Sequence, residues 1–256
     1  TNAIINPGAA GHADKVCATI LHRSQWMGFP GRPVTPLINI NAPFKIFGIN
    51  SGGGLTVYND TYGFINDVGF NGAYAYRANL SNGKLGIGVN FGFTNQVFDA
   101  QWQYFSGDRS NTKEEYDNLL PGNEGKIAFD LGLGAFYNTE ELYFGVSTIN
   151  IREAEYNFTS PNKPSLQRHY FITAGYTLQL PNPLFEAIPS FIVYSDGRLS
   201  QLSINSTLVY NKKFRAGVSY RPQDAVVGML GIQLLNGIKI GYAYDYTLSD
   251  IAPFQS

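Results

Sequence analysis

The sequence predicts an all-β protein, a transmembrane up-and-down antiparallel β-barrel of fourteen strands, thirteen of them visible in the chain. Two observations carry that expectation. The first is period-two alternation, clearest from Gly237 to Thr247. There Ile238, Ile240, Tyr242, Tyr244 and Tyr246 alternate with Lys239, Gly241, Ala243, Asp245 and Thr247. Successive side chains of a strand point to opposite faces, so one face is apolar and aromatic and the other small or charged. The second is the order of the connections. The tightest turns, 81–84, 138–141, 211–212 and 236–237, fall on one side of the sheet, and the long polar segments 99–125 and 151–167 on the other. Outer-membrane barrels have short periplasmic turns and longer outer loops, whereas a Greek-key sandwich has no reason to separate them.

Composition agrees. The 256 residues include 28 Gly, 17 Tyr and 18 Phe, and only 14% are charged, against roughly 25% in ordinary soluble domains. A net charge of −1 leaves no electrostatic footprint for a nucleic-acid partner. The longest apolar run, Ala225 to Ile232, falls well short of the ~20 residues that a membrane-crossing helix needs. The single Cys17 excludes an internal disulfide framework and a multi-cysteine metal site. No signal peptide is visible at Thr1.

In chain order, residues 1–14 read as an irregular opening segment without period. The first strand covers about Lys15 to Trp26 and ends in the Gly- and Pro-rich turn Met27 to Pro33. Strands follow at about 35–43, 49–58, 68–80 and 84–98, with a loop at 59–66 and an Asn-Gly hairpin at 81–84. After the polar stretch 99–125 come strands at about 126–137 and 142–150, then the second polar segment, 151–167. The remaining strands are about 168–180, 185–194, 200–210, 214–221, 225–234 and the final Gly237 to Thr247. The whole chain, 1–256, reads as one barrel domain with 99–125 and 151–167 as long outer loops. Thirteen strands cannot close a bacterial barrel that keeps both termini in the periplasm, so a fourteenth is expected beyond Ser249 to Ser256.

Particular residues carry a family resemblance. Asn6-Pro7-Gly-Ala-Ala-Gly11 and Arg23-Ser-Gln25-Trp26-Met-Gly28-Phe29 resemble the opening signature of the PorP/SprF family. The resemblance continues in Asn59 to Gly63, Tyr74 to Arg77, Gly217 to Arg221 and Gly241 to Asp245, across almost the whole chain. It implies an outer-membrane protein tied to type IX secretion and gliding motility, with residues before Thr1 and a final strand after Ser256. Its partners would be outer-membrane lipid, a secreted surface protein or its C-terminal domain, and periplasmic secretion or gliding components.

Candidate sites are few. His12, His22 and His169 lack any accompanying serine motif, so they read as lumen or rim packing and no catalytic residue is predicted. The acidic loop Asp108 to Leu119 has Lys113 and Leu119 where a calcium loop needs Gly and Glu. It reads as a solvated loop, and no metal or cofactor is expected. Arg23, Gln25, Arg77, Asp130, Arg215, Arg221, Lys239 and Asp245 share the polar face and are expected to line the lumen. Trp26, Phe29, Tyr194, Tyr220 and Tyr244 fall where an interfacial aromatic girdle would sit.

The inward positions Gly86, Gly88, Gly92, Gly132, Gly134, Gly175 and Gly241 leave space, and the segment Thr1 to Gly11 is expected to fill it. Arg23, Gln25, Asn90 and Asp130 are its expected polar partners. The function expected is a non-enzymatic accessory of protein secretion that binds through 99–125 and 151–167. The alternative is a diffusion channel or hydrophobic-solute transporter.

Overall fold

The computed structural model describes residues 2–98, 125–156 and 164–248. It holds a single antiparallel sheet, preceded by a helical turn α1 (Asn2–Ile5) and a 3-10 turn (Pro7–Ala9). The strands are β1 (Cys17–Ser24), β2 (Val34–Ile46), β3 (Ile49–Tyr62), β4 (Ile65–Leu80), β5 (Gly83–Phe98), β6 (Gly125–Asn138) and β7 (Leu142–Ile149). They continue as β8 (His169–Tyr176), β9 (Leu178–Gln179), β10 (Phe185–Ser195), β11 (Ser200–Tyr210), β12 (Phe214–Arg221), β13 (Ala225–Gln233) and β14 (Lys239–Thr247). Each strand pairs with its sequence neighbours in up-and-down order. The short β9 pairs with β10 beside β8, so the two are one crossing interrupted at Thr177, and the crossings number thirteen among the described residues.

The faces are inverted relative to a water-soluble protein. On β5, Ile87, Val89, Phe91 and Phe93 are exposed while Gly86, Gly88, Asn90, Gly92 and Thr94 are buried. Buried positions elsewhere include Asn39, Asn41, Ser51, Thr56, Arg77, Gln96 and Asp130. Ile238, Ile240, Leu131, Leu133, Phe91 and Tyr176 are all exposed on the opposite face. An apolar outside around a polar inside is the signature of a strand with lipid on one side and a lumen on the other. No helix among the described residues is long and apolar enough to cross a membrane.

The structure corrects several sequence expectations. The opening segment is not irregular, because Asn6 caps a 3-10 turn with Pro7 in its first turn. The loop expected at 59–66 is mostly strand: Tyr62 pairs with Ile65, leaving only Gly63 and Phe64 to turn the chain. Gly63 adopts φ 59°, the left-handed region such a turn demands. The separation of tight from long connections is therefore incomplete, and what survives is the placement of the longest ones. Tyr194 leaves the expected girdle, since it pairs opposite Phe171, which pairs opposite the inward Ser147. There it hydrogen-bonds His169 at 3.0 Å. The segments 99–124, 157–163 and 249–256, with the acidic loop 108–119, lie outside the described residues.

A substitution pair tests the assignment of faces. Leu131→Arg places a cation in lipid, costing about 2–4 kcal/mol near mid-membrane. It should sharply reduce the folded, heat-modifiable fraction in refolding gels. Asp130→Asn, one residue away on the lumen face, keeps an acceptor for the Asn150 N–H and should refold close to the parent.

Candidate functional site

The lumen is occupied from within the chain. Residues 6–11 are buried, and they rest on a row of small side chains that the register places at one level. Across β3, β4, β5, β6 and β7 that row is Gly52, Ala75, Gly88, Gly134 and Ser147. The contact is close enough that no larger residue fits. A Cβ on Gly88 would collide with the Pro7 carbonyl, and one on Gly86 with the Gly8 carbonyl. A Cβ on Gly134 would press equally on Asn6 Oδ1, and one on Gly52 on the Ala10 carbonyl.

Asn6 anchors this segment and is 2% exposed. Its Oδ1 accepts from the Gly8 N–H at 2.9 Å, capping the 3-10 turn. Its Nδ2 donates to the carbonyls of Ala135 at 3.0 Å and Val146 at 3.2 Å, residues that pair across β6 and β7. One side-chain amide thus grips two strands with its hydrogen-bonding capacity near full use. Ser147 Oγ donates a bond to the Ile5 carbonyl at 2.8 Å. Polar backbone carried into the lumen in this way is satisfied by the sheet that surrounds it.

The segment leaves the lumen through a charged clamp. Asp14 takes Arg77 Nη2 at 2.8 Å and Lys84 Nζ at 2.5 Å. The Lys84 ammonium, then Arg77, hold its carboxyl below the ordinary range. Between clamp and anchor, His12 Nδ1 donates to the Ala9 carbonyl at 2.8 Å, and the ring meets Phe136 edge-on at 5.3 Å. Burial holds His12 below the usual histidine value of 6.5.

A second obstruction enters from the opposite end. The stem of the 151–167 segment folds back as a narrow bridge between Glu155 and Ser165. Tyr156, next to that bridge, is 1% exposed, packed with Ala128 and against Phe98, Ala154 and Leu166. Burial, and after it the Asp67 carboxylate, pushes its hydroxyl above the ordinary tyrosine range. This part of the expected outer contact surface therefore points inward, where it shields the upper lumen.

The predicted site residues divide into groups that do not meet. Asn6, Pro7 and Gly11 form the inserted segment, and Arg77 clamps it. Gln25, Trp26, Gly28 and Phe29 lie at the far end in the β1–β2 loop, just past Arg23 at the end of β1, and the loop is tied to the β3–β4 turn by the Gly63 N–H to Gly31 carbonyl bond of 2.8 Å. Arg23 and Gln25 are too distant in the chain's path to serve the inserted segment as expected. Asp130 is instead committed to the Asn150 N–H at 3.1 Å. Asn90 turns its amide toward Asn71 at 3.5 Å. Arg221 binds Asp224 at 3.2 Å and also pairs with Asp245. Arg215 and Lys239 lie on the lumen face of β12 and β14. Asn6 as a cap followed by Pro7 was a readable signal for the helical turn. Ser147 and Tyr156 carried none.

Fold and lumen together define an outer-membrane β-barrel protein whose lumen receives the opening segment of its own chain. Over residues 1–256 the sequence matches the family described as type IX secretion system membrane protein PorP/SprF, and the chain belongs to that family. No curated protein matches it. Among solved structures, a variant of the Rh. blastica porin covers 91% of this chain and 93% of its own at 12% identity, with a TM-score of 0.36.

Two outcomes follow from the packing. Gly88→Ala should dislodge the segment and raise single-channel conductance in planar bilayers. Gly228→Ala, whose Cβ meets open space, should leave conductance at the parent level. The second concerns pH. The docked His12 resists protonation, whereas the released segment takes up a proton below about 6.5, so docking weakens as pH falls through that value. Asp14 stays ionised across the same window, with Arg77 as the neighbouring cation. Protection factors at residues 8–12, corrected for the pH dependence of intrinsic exchange, should fall on acidification, and His12→Leu should abolish that fall.

Proposed function

We propose that this protein is a non-enzymatic, occluded outer-membrane barrel that docks a secreted surface protein, or its C-terminal domain, and links it to periplasmic components of type IX secretion. The observation that carries the reading is the chain's own segment packed inside the lumen against β3 to β7. A barrel that packs residues 6–11 and Tyr156 into its interior narrows any water path and leaves its rims for function. The whole chain acts as a single barrel domain in this reading.

At the outer rim, Trp26, Met27 and Phe29 of the β1–β2 loop and Phe64 of the adjoining β3–β4 turn are exposed apolar side chains. Aromatic residues grouped on a rigid rim supply the buried anchors on which protein–protein contacts depend. Gly31 and Gly63 hold the two connections together, so the group is presented by a bonded pair of hairpins. This rim is the favoured cargo contact.

Replacing Trp26 and Phe29 together by Ala should abolish surface delivery of the cargo while the barrel remains assembled in the outer membrane. Affinity purification from native outer membranes reads the loss of the partner directly. The parent protein should also be electrically silent in planar bilayers. A steady open-channel current would support the diffusion-channel alternative and defeat this reading.

A further inference from the structure

The outer end of the lumen brings two carboxylates face to face. On β3, Thr56, Tyr58 and Asp60 alternate on the inward face, where Thr56 is buried and Tyr58 bonds the buried Thr94. On β4, Asp67 shares its face with the buried Gly69 and Arg77, and on β5 Gln96 shares its face with Thr94. The register sets Asp60 opposite Asp67 and Asp67 opposite Gln96, so the three side chains form a row across β3, β4 and β5. Directly opposed residues hold their Cβ atoms ~5 Å apart, and like charges so placed destabilise the pair. Among the described residues neither carboxylate has an ion-pair partner. Along the same level Arg23 lies beyond Thr35 and Lys126 beyond Gln96. Each stands two ladders from the nearer Asp, ~10 Å between backbones, and forms no ion pair with it. The charge that acts on Asp67 is that of Asp60, of the same sign.

The oxygens of this row are unevenly used. Asp60 Oδ1 accepts from Thr35 Oγ1 at 2.6 Å. Asp67 Oδ2 accepts from the Tyr62 hydroxyl at 3.0 Å and from Gln96 Nε2 at 3.2 Å. Asp67 Oδ1 and Gln96 Oε1 are withdrawn from solvent and have no donor among the described residues. Gln96 is 6% exposed, so its carbonyl cannot turn to bulk water, and an unmet acceptor at that depth carries its full desolvation cost. A half-turn of the amide exchanges its two ends. It sets Oε1 where Nε2 now stands, 3.2 Å from Asp67 Oδ2, a spacing that two oxygens ~2.4 Å from one ion adopt.

Opposed carboxylates beside unmet oxygen acceptors form an arrangement that a cation stabilises. We propose that Asp60, Asp67 and Gln96 form a calcium site at the outer end of the lumen. No local spacing in the sequence signals it, because its donors come from three strands. All the donors are oxygens, which suit a hard cation. The sheet fixes them in its own register, and calcium accepts variable geometry where magnesium demands an octahedron. No three acidic, imidazole or thiol groups gather among the described residues. Water therefore completes the shell, and affinity falls in the ~10⁻⁴–10⁻³ M range of extracellular modules. The row lies just below the β3–β4 turn, whose Gly63 N–H holds the Gly31 carbonyl. A bound ion would join β3 to β4 directly beneath that bonded pair of connections. The site stands on these observations alone and does not require the docking role.

The test uses the full chain in detergent micelles, stripped of divalent ions, with terbium as the luminescent probe. Tyr62 bonds Asp67 and would sensitise a lanthanide held there. The expected result is saturable tyrosine-excited emission that calcium displaces and potassium at equal concentration does not. Asp60→Asn and Asp67→Asn should each weaken binding about tenfold. Asp196→Asn, in the outer turn before β11, should leave it unchanged. Asp67→Asn keeps an acceptor for Tyr62 and removes the like-charge contact, so in chelator it should unfold no lower than the parent. Calcium should then raise the unfolding temperature of the parent and leave that of the variant unmoved. Emission unchanged in both strand variants would overturn the site and give terbium to acids elsewhere on the chain. A parent whose unfolding temperature ignores calcium would overturn it as well. Displacement by magnesium as effective as by calcium would overturn the choice of ion.

Discussion

The close approach of the inserted segment to the sheet is the constraint on which the lumen depends. A strand crossing must keep small residues at the level where foreign backbone passes, and five adjacent strands do so in register. The penalty for breaking that row is steric and immediate, because the approach of Pro7, Gly8 and Ala10 to the sheet leaves no room for one carbon. Asn6 then converts proximity into attachment. Its amide replaces water at two ladder carbonyls that the insertion would otherwise strip of solvent. Shape and hydrogen bonding are thus one arrangement seen from two sides.

The same logic explains why the interior is polar although much of it is withdrawn from solvent. A soluble core fills with apolar side chains because water lies outside. Here the apolar side chains are committed to the exterior, so the interior must be closed by polar groups that satisfy one another. Asn41 donates to Asn39, which donates to Thr56 at 2.8 Å; Tyr58 joins Thr94 at 2.9 Å; Tyr62 and Gln96 both donate to Asp67. These bonds brace β2 to β5 against each other laterally.

The legible part of the protein was the part governed by a local period. Alternation along a strand such as Leu85 to Thr94 assigns lipid and lumen faces residue by residue, because a strand has only two faces. What remained hidden depends on register between strands distant in sequence. Gly52, Gly88 and Gly134 were recognisable as small, but nothing in their neighbourhoods shows that they share a level. The same holds for Ser147, whose partner Ile5 is 142 residues away. Tyr156 was unreadable for another reason: in an aperiodic segment, an aromatic residue gives no sign of whether it turns outward or folds back. Arg23 and Gln25 show the limit of alternation itself. Parity places a side chain on the inside, while only register says how far along the barrel it lies.

Strand direction carries the argument one step further. β1 and β14 both run from the short-turn end to the outer end, since an odd number of crossings, thirteen among the described residues, leaves first and last alike in direction. A direct ladder between them would be parallel in a sheet whose every other pairing is antiparallel, and among the described residues no ladder joins them. Each of the two therefore presents one strand edge without a ladder among the described residues. Hydrocarbon offers no hydrogen bonds to an exposed strand edge. Each edge can accept a strand that runs from the outer end to the short-turn end, because that direction keeps the pairing antiparallel, as every other pairing in this sheet is.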